Sequence, residues 1–399
     1  MNMNVTMKQK GKLFKPGILK DLMKKEIAFL IPSMAGGGAQ KVTLLLANEL
    51  CKRGWDISLL IANAEGVYLK RLDKNIKIIS LGKRNISGNV FEIARYLKRS
   101  RPALFFSSMT YVNVIAGISV ILSNYKGKIF FSEHSNPSTR NANNKNLINK
   151  IITFLAKMVY KKADAVICVS QGVKDELNRV INNLKTSVVI NNPIENFFKK
   201  GKYNHDKLRI ISMGRLDKEK NFSLLIEAFS IVLNRVPFYQ QNAELYILGE
   251  GPERDNLVLL ISALKLQDKI FLPGFVENPE DLLSSADLFA LCSNREGFPN
   301  VLVEALSCGL PVISTDCPSG PSEILQEGKF GKLIPVNDKE SLANAIIETI
   351  NTPNVNSTME ERMRRANDFS VESIVDQYES LFKDILEADH VGKKLQHVN

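Results

Sequence analysis

The chain has 399 residues, 44% of them apolar and 24% charged, with a net charge of +11. It is too long for one ordinary core and has the make-up of a soluble globular protein, so two domains are expected. No apolar run reaches the ~18–20 residues of a membrane span, and the five Cys form no Cys-x-x-Cys pair, which fits a reducing compartment rather than a disulfide scaffold.

The net charge hides an asymmetry. Residues 1–200 carry 33 Lys and Arg against 12 Asp and Glu, whereas residues 201–399 carry 20 against 30. Only the first half is therefore suited to an anionic partner, and nucleic acid and an anionic membrane surface are the two candidates.

Residues 1–25 hold seven Lys and one Asp, with apolar pairs at Leu13-Phe14, Ile18-Leu19 and Leu22-Met23. This basic N-terminal segment reads either as a helix lying on a membrane surface or as a solvated tail. It has no long apolar centre and no cleavage site, so it is not a secretory signal. Residues 26–32 then read as a buried strand running into the loop Gly36-Gly37-Gly38. Val42, Leu45, Leu46 and Leu50 follow with a helical period. Strand, glycine loop and helix open a doubly wound α/β domain. The loop has neither dinucleotide nor Walker spacing, but its glycines allow close approach of a ligand to backbone.

Strand-like runs recur at 56–61, 76–81, 104–107, 128–132 and 163–170. His134, one of four His, falls just past one of them, where open α/β sheets bind ligands. Leu147, Ile148, Ile151, Ile152, Leu155, Met158 and Val159 form an apolar helical face among Lys145, Lys150, Lys157, Lys161 and Lys162. It reads as a core-packed helix, with membrane contact as the alternative. Residues 195–208 are polar, basic and aperiodic, and are expected to be the interdomain linker.

A second α/β series starts at 209–214 and places Arg215 and Lys220 in the loop beyond its first strand. Two cations at a strand's carboxyl end can clamp a diphosphate, unless Asp217 and Glu219 pair with them in a solvated turn. Strand 243–248 ends at Gly249, and 270–276 reads as a strand and the loop that carries Val276. The richest stretch is 294–305. Glu296 lies on a loop, and Gly297-Phe298-Pro299 turns the chain. A helix is expected to start near Pro299 and to present free N–H groups from Asn300 and Val301, a seat for an anion. Glu304 lies about a turn further in. An anion seat with an acceptor carboxylate on each side suits a sugar–diphosphate–nucleoside. Gly320-Pro321-Ser322-Glu323 reads as another ligand-side loop. The expected division is a first domain over 26–200, a second over 201–370, a C-terminal helix over 371–388 packing back on the first domain, and a disordered tail over 389–399.

The ordered series Gly214-Arg215-Leu216-Asp217 with Lys220-Asn221, Gly249-Glu250-Gly251-Pro252, Glu296-Gly297-Phe298-Pro299 with Glu304-Ala305, and Gly309-Leu310-Pro311-Val312-Ile313 resembles the retaining glycosyltransferases of family 4. The resemblance implies a GT-B fold, two doubly wound Rossmann-like domains around an interdomain cleft. By that likeness Arg215 and Lys220 would hold the nucleotide diphosphate, and Glu304 the ribose. Glu296 and the N–H groups after Phe298 would hold the donor sugar, and Val276 would lie by the base. The glycine loop and Gly249 would approach the donor, with His134 near the sugar. The implied enzyme is a hexosyltransferase moving a hexose or N-acetylhexosamine, UDP-linked, to a lipid-linked or polysaccharide acceptor in surface glycan biosynthesis. Its expected place is cytoplasmic, peripheral on the inner face of the plasma membrane.

No cofactor and no metal are expected, since no Asp-x-Asp occurs and two fixed cations stand in its place. The acceptor side would be the basic half, against an anionic membrane surface. A non-transferring nucleotide-sugar enzyme of the 2-epimerase kind is the alternative. Nucleic acid is not expected, because the basic half shows no aromatic-interleaved basic motif.

Overall fold

The computed structural model describes residues 26–134, 147–195 and 207–396. The basic segment 1–25 and nearly all of the expected linker lie outside the described residues.

The first sheet is built from β1 (Glu26–Ile31), β2 (Asp56–Ile61), β3 (Lys77–Ser80), β4 (Leu104–Ser108), β5 (Lys128–Glu133), β6 (Ala165–Cys168) and β7 (Ser187–Val189). Its order is β3-β2-β1-β4-β5-β6-β7. The second contains β8 (Leu208–Met213), β9 (Ala243–Leu248), β10 (Ile270–Gly274), β11 (Leu288–Leu291), β12 (Val312–Thr315) and β13 (Lys332–Ile334). Its order is β10-β9-β8-β11-β12-β13, and the named strand pairs in both sheets run parallel. A parallel strand covered by helices on both faces has no wet side, so its sequence is continuously apolar rather than alternating. Ile27 to Ile31 and Ile210-Ile211 show this, all of them buried.

In each sheet the order reverses beside the first strand, between β1 and β4 and again between β8 and β11. A crevice opens at the carboxyl ends of the strands at such a point. One crevice receives the loop after β1, the other the loops after β8 and β11.

The helix Val371–Gln396 returns to the first domain. Tyr378 and Phe382 are buried against Phe106 and Phe130, with the Phe130 and Phe382 ring centroids 4.7 Å apart. Trp55 Nε1 donates to Glu379 at 3.0 Å. The two crossings between domains run side by side, where Ile194 bridges to Ser370. The expected disordered tail from 389 is corrected, since the helix runs on to Gln396. Residues 389–396 contain one glycine and no proline, so nothing in the chain stops the backbone ladder; residues 397–399 lie outside the described residues.

The apolar face around Leu147–Val159 is divided rather than wholly core-packed. Ala156 and Val159 are buried, whereas Ile151, Phe154 and Met158 stand exposed, Phe154 at 64%. Exposed Lys150, Lys157 and Lys161 share their side of the helix, as the spacing of three and four residues requires.

Candidate active site

The two crevices face each other across a cleft of about 480 Å³. From the second domain come Arg215, Lys220, Gly249, Val276, Glu296, Phe298, Pro299, Asn300, Val301 and Glu304; Gly36, Gly37, Gly38 and His134 face them from the first. Gly297 does not line the cleft. It is buried at the turn, its carbonyl close to Gly320, so its part is to bend the chain.

Lys220 Nζ lies 2.5 Å from Glu296 Oε1, and Ser293 Oγ donates to the same oxygen at 2.6 Å. The carbonyl of Ser293 in turn accepts from Thr315 Oγ1 at 2.6 Å. A cation from the loop after β8 and a carboxylate from the loop after β11 are thus locked together with little freedom. Arg215 is 72% exposed, with its Nε 4.0 Å from Asp217. Asp217 accepts instead from the backbone N–H groups of Glu219 and Lys220, so it closes the turn rather than neutralising the two cations. The Cys317 thiol beside this network is pushed up to about 12 by burial and then by the charge of Glu296. It stays protonated and unreactive at neutral pH.

The helix of this segment spans Asn300–Ser307, with Pro299 at its cap and no side chain capping it. Pro299 therefore sits one position before its expected place, because its ψ of 90° is extended rather than helical. Asn300 and Val301 of the first turn still line the cleft, whereas Leu302 N donates to Pro299 O at 2.9 Å; such a helix start suits an anion. Asn300 is used differently from expectation, since its Oδ1 accepts from Asn192 Nδ2 of the first domain at 2.8 Å. Asn192 Oδ1 is buried without a hydrogen-bond partner among the described residues. A hydroxylated ligand in the cleft would satisfy it.

Glu304 is buried, and its Oε1 is 2.7 Å from Lys41 Nζ, on the helix that follows the glycine loop. Sequence reasoning passed over Lys41, Tyr68 and Asn192, all of which line the cleft. The available signal for Lys41 was a lysine one turn into a helix whose neighbours Val42, Leu44 and Leu45 are core.

Gly249 has φ +141°, and a Cβ there would stand 1.9 Å from the Gly214 carbonyl oxygen. Gly249 N donates to Gly274 at 2.8 Å, and Gly214 N to Leu248 at 2.9 Å. The ends of β8, β9 and β10 are laced together at this point and form the cleft floor. Gly36 (φ +119°) brings the glycine loop against Phe275 from the opposite side.

His134 shares a hydrogen bond of 3.2 Å between its Nε2 and Ser132 Oγ. Desolvation pushes its pKa down to about 4, so the ring is neutral at physiological pH. Beneath it Glu133 is buried, held by Thr110 at 3.0 Å, Asn113 at 3.2 Å and the Tyr160 hydroxyl.

The loop at 320–323 is corrected from ligand-side to interdomain. Glu323 accepts from Gln171 N at 2.8 Å and from Gly172 N at 3.1 Å. A carboxylate there caps the N-terminus of the helix Gln171–Val180 in the other domain, which its dipole favours.

Two Rossmann-like sheets facing one cleft, with a cation–carboxylate pair beside an uncapped helix start, define a GT-B architecture. Known proteins agree. Residues 36–196 match the model described as Glycosyltransferase Family 4, and residues 193–366 that of Glycosyl transferases group 1. A Campylobacter jejuni enzyme, N-acetylgalactosamine-N,N'-diacetylbacillosaminyl-diphospho-undecaprenol 4-alpha-N-acetylgalactosaminyltransferase, is 30% identical over 335 residues, 80% of this chain and 88% of that protein. A second C. jejuni enzyme, GalNAc-alpha-(1->4)-GalNAc-alpha-(1->3)-diNAcBac-PP-undecaprenol alpha-1,4-N-acetyl-D-galactosaminyltransferase, is 25% identical over 91% of this chain and 99% of that protein. The Anabaena protein HepE, solved in complex with UDP and glucose, shares the fold, with a TM-score of 0.75 and 20% identity over 90% of this chain and 99% of that one. The chain belongs to glycosyltransferase family 4.

Proposed function

We propose that the chain is a retaining hexosyltransferase. It takes a UDP-linked hexose or N-acetylhexosamine and places the sugar on a polyprenyl-diphosphate-linked glycan, in surface glycan assembly at the cytoplasmic membrane face. The observation that carries this reading is the Lys220–Glu296 pair set beside the helix start at Asn300, with Arg215 at the cleft mouth. Fixed positive groups are most useful where charge develops. As the anomeric C–O bond breaks, the departing diphosphate gathers negative charge, and Arg215, Lys220 and the helix amides meet it. The acceptor hydroxyl then bonds to the anomeric carbon on the face the nucleotide leaves and gives its proton to the departing phosphate oxygen, so the configuration is kept. Two cations, Lys220 held by Glu296 and Arg215 at the mouth, take the role a metal has elsewhere. The donor and acceptor follow the printed names of the two C. jejuni relatives, which carry N-acetylgalactosaminyl groups to undecaprenyl-diphosphate-linked glycans. Screening UDP- and GDP-sugars for binding and slow hydrolysis tests it. A UDP-hexose or UDP-N-acetylhexosamine is expected to bind and turn over, and failure of every nucleotide sugar would defeat the reading.

The membrane part of the proposal rests on the stripe of Ile151, Phe154 and Met158 among exposed lysines. An apolar strip flanked by Lys suits the boundary of an anionic bilayer. No helix among the described residues is long and apolar enough to cross a membrane, so contact would be at the surface. The protein is expected to sediment with anionic vesicles, less so at high salt. Replacing both Ile151 and Phe154 with Glu is expected to abolish sedimentation while leaving donor binding intact. Equal sedimentation of that variant would remove this face as the contact.

A further inference from the structure

The ion pair between Lys41 and Glu304 joins the two domains across the cleft at 2.7 Å. Lys41 Nζ is also 3.7 Å from Glu195, which pairs with Arg71 through its other oxygen at 2.5 Å. Glu195 follows Ile194, whose N–H donates to Phe369 at 2.9 Å where the chain crosses between domains. A chain of alternating charge therefore runs from the crossover, through Lys41, to Glu304 in the cleft. Glu304 is 4% exposed as a residue, and a buried carboxylate deprived of its cation is strongly disfavoured in its charged form. Burial of Lys41 works against its own charge, but Glu304 and then Glu195 outweigh it and hold the ammonium above its ordinary range. Among the described residues Tyr68 lies beside this pair and Arg71 behind it, with Glu277 near Arg71.

We propose that Lys41 is a positioning residue for the donor. It aims Glu304 so that the carboxylate accepts from the ribose hydroxyls, and it ties that geometry to the interdomain crossing through Glu195. The proposal rests on the nucleotide-sugar reading of the cleft. A salt-bridged carboxylate oxygen keeps a second lone pair, and its sister oxygen keeps two. Lys41 and a ribose diol can thus share Glu304, and donor binding closes a contact already half made.

The test is UDP binding by calorimetry. The wild type, Lys41→Met, Lys41→Arg, Glu304→Gln and the double variant Lys41→Met/Glu304→Gln are compared. Lys41→Met is expected to weaken binding on the order of tenfold to a hundredfold. Lys41→Arg restores most of the affinity. Adding Lys41→Met to Glu304→Gln costs less than about twofold more, because the two act as one unit. Lys41→Met binding UDP as the wild type does, or losses that simply add in the double variant, would overturn the proposal while leaving the donor reading intact. A wild type that binds neither UDP nor GDP would overturn the donor reading, and this inference with it. Should Lys41→Met fail to fold, the double variant against Glu304→Gln decides, since it leaves no uncompensated carboxylate at 304.

Discussion

Lys220→Ala is expected to lower the rate of sugar transfer on the order of a hundredfold to a thousandfold, the effect of removing one fixed group that stabilises developing charge. The protein should remain folded, because Lys220 joins no apolar cluster and its loop is closed by Asp217 and by backbone contacts. Asp217 accepts from two N–H groups of the turn, and Asn294 N donates to Glu219 O at 2.7 Å. Two effects combine in the loss. The diphosphate loses a cation, and Glu296 loses the partner that aims it, 2.5 Å away. Glu296→Gln alone should also be severe, and the double variant should be little worse than the poorer single one, since paired groups act as a unit. Lys218→Ala, on the same loop but exposed, is the control for net charge and should leave the rate unchanged. Single-turnover transfer with the donor found in the screen is the measurement. Near-normal transfer by Lys220→Ala would end the assignment of Lys220 to the leaving group.

The second large effect is structural. Gly249→Ala is expected to cost ~2–4 kcal/mol of stability, from a strained backbone and a clash together, and to abolish donor binding. At φ +141° the new methyl would lie 1.9 Å from the Gly214 carbonyl oxygen, and that atom is backbone, which cannot swing aside. Relief requires β8 and β9 to part at their carboxyl ends, which moves Arg215 and Lys220. Gly82→Ala is the comparison. Gly82 also has a positive φ, +86°, but nothing lies within 4 Å of the added atom, so it should cost only the ~1 kcal/mol of the backbone conformation. Thermal unfolding of the two variants separates strain from clash. Equal midpoints would show that the Gly214–Gly249 approach has no role in the floor of the cleft.

The two α/β units and most of the second domain's share of the site are legible from the residues alone. Continuous apolar runs, glycine turns and helical periods are local properties, and each loop that follows a parallel strand must emerge at the same edge of its sheet. Arg215, Lys220, Gly249, Glu296 and Glu304 were legible for that reason, since each lies on or just beyond a strand–loop–helix joint. Gly297 is legible as a turn, but that it lies off the cleft wall is not, because which side of a turn faces a ligand depends on what packs behind it, here Gly320. The apolar face around Leu147–Val159 was legible as amphipathic, but periodicity alone does not say how wide a strip its neighbours cover.

The contacts between domains emerge only once the two sheets are packed together. Lys41 and Glu304 are 263 residues apart and Asn192 and Asn300 are 108 apart, and no local pattern marks such partners. Glu323 shows the same limit. Its sequence has the look of a ligand loop, yet its carboxylate is held by the N–H groups of Gln171 and Gly172. A lone charge in a sequence has many possible counter-charges. The packing of the two sheets selects one: Lys41 is brought to 2.7 Å from Glu304 with both side chains largely buried, where a charged contact is stronger than in water.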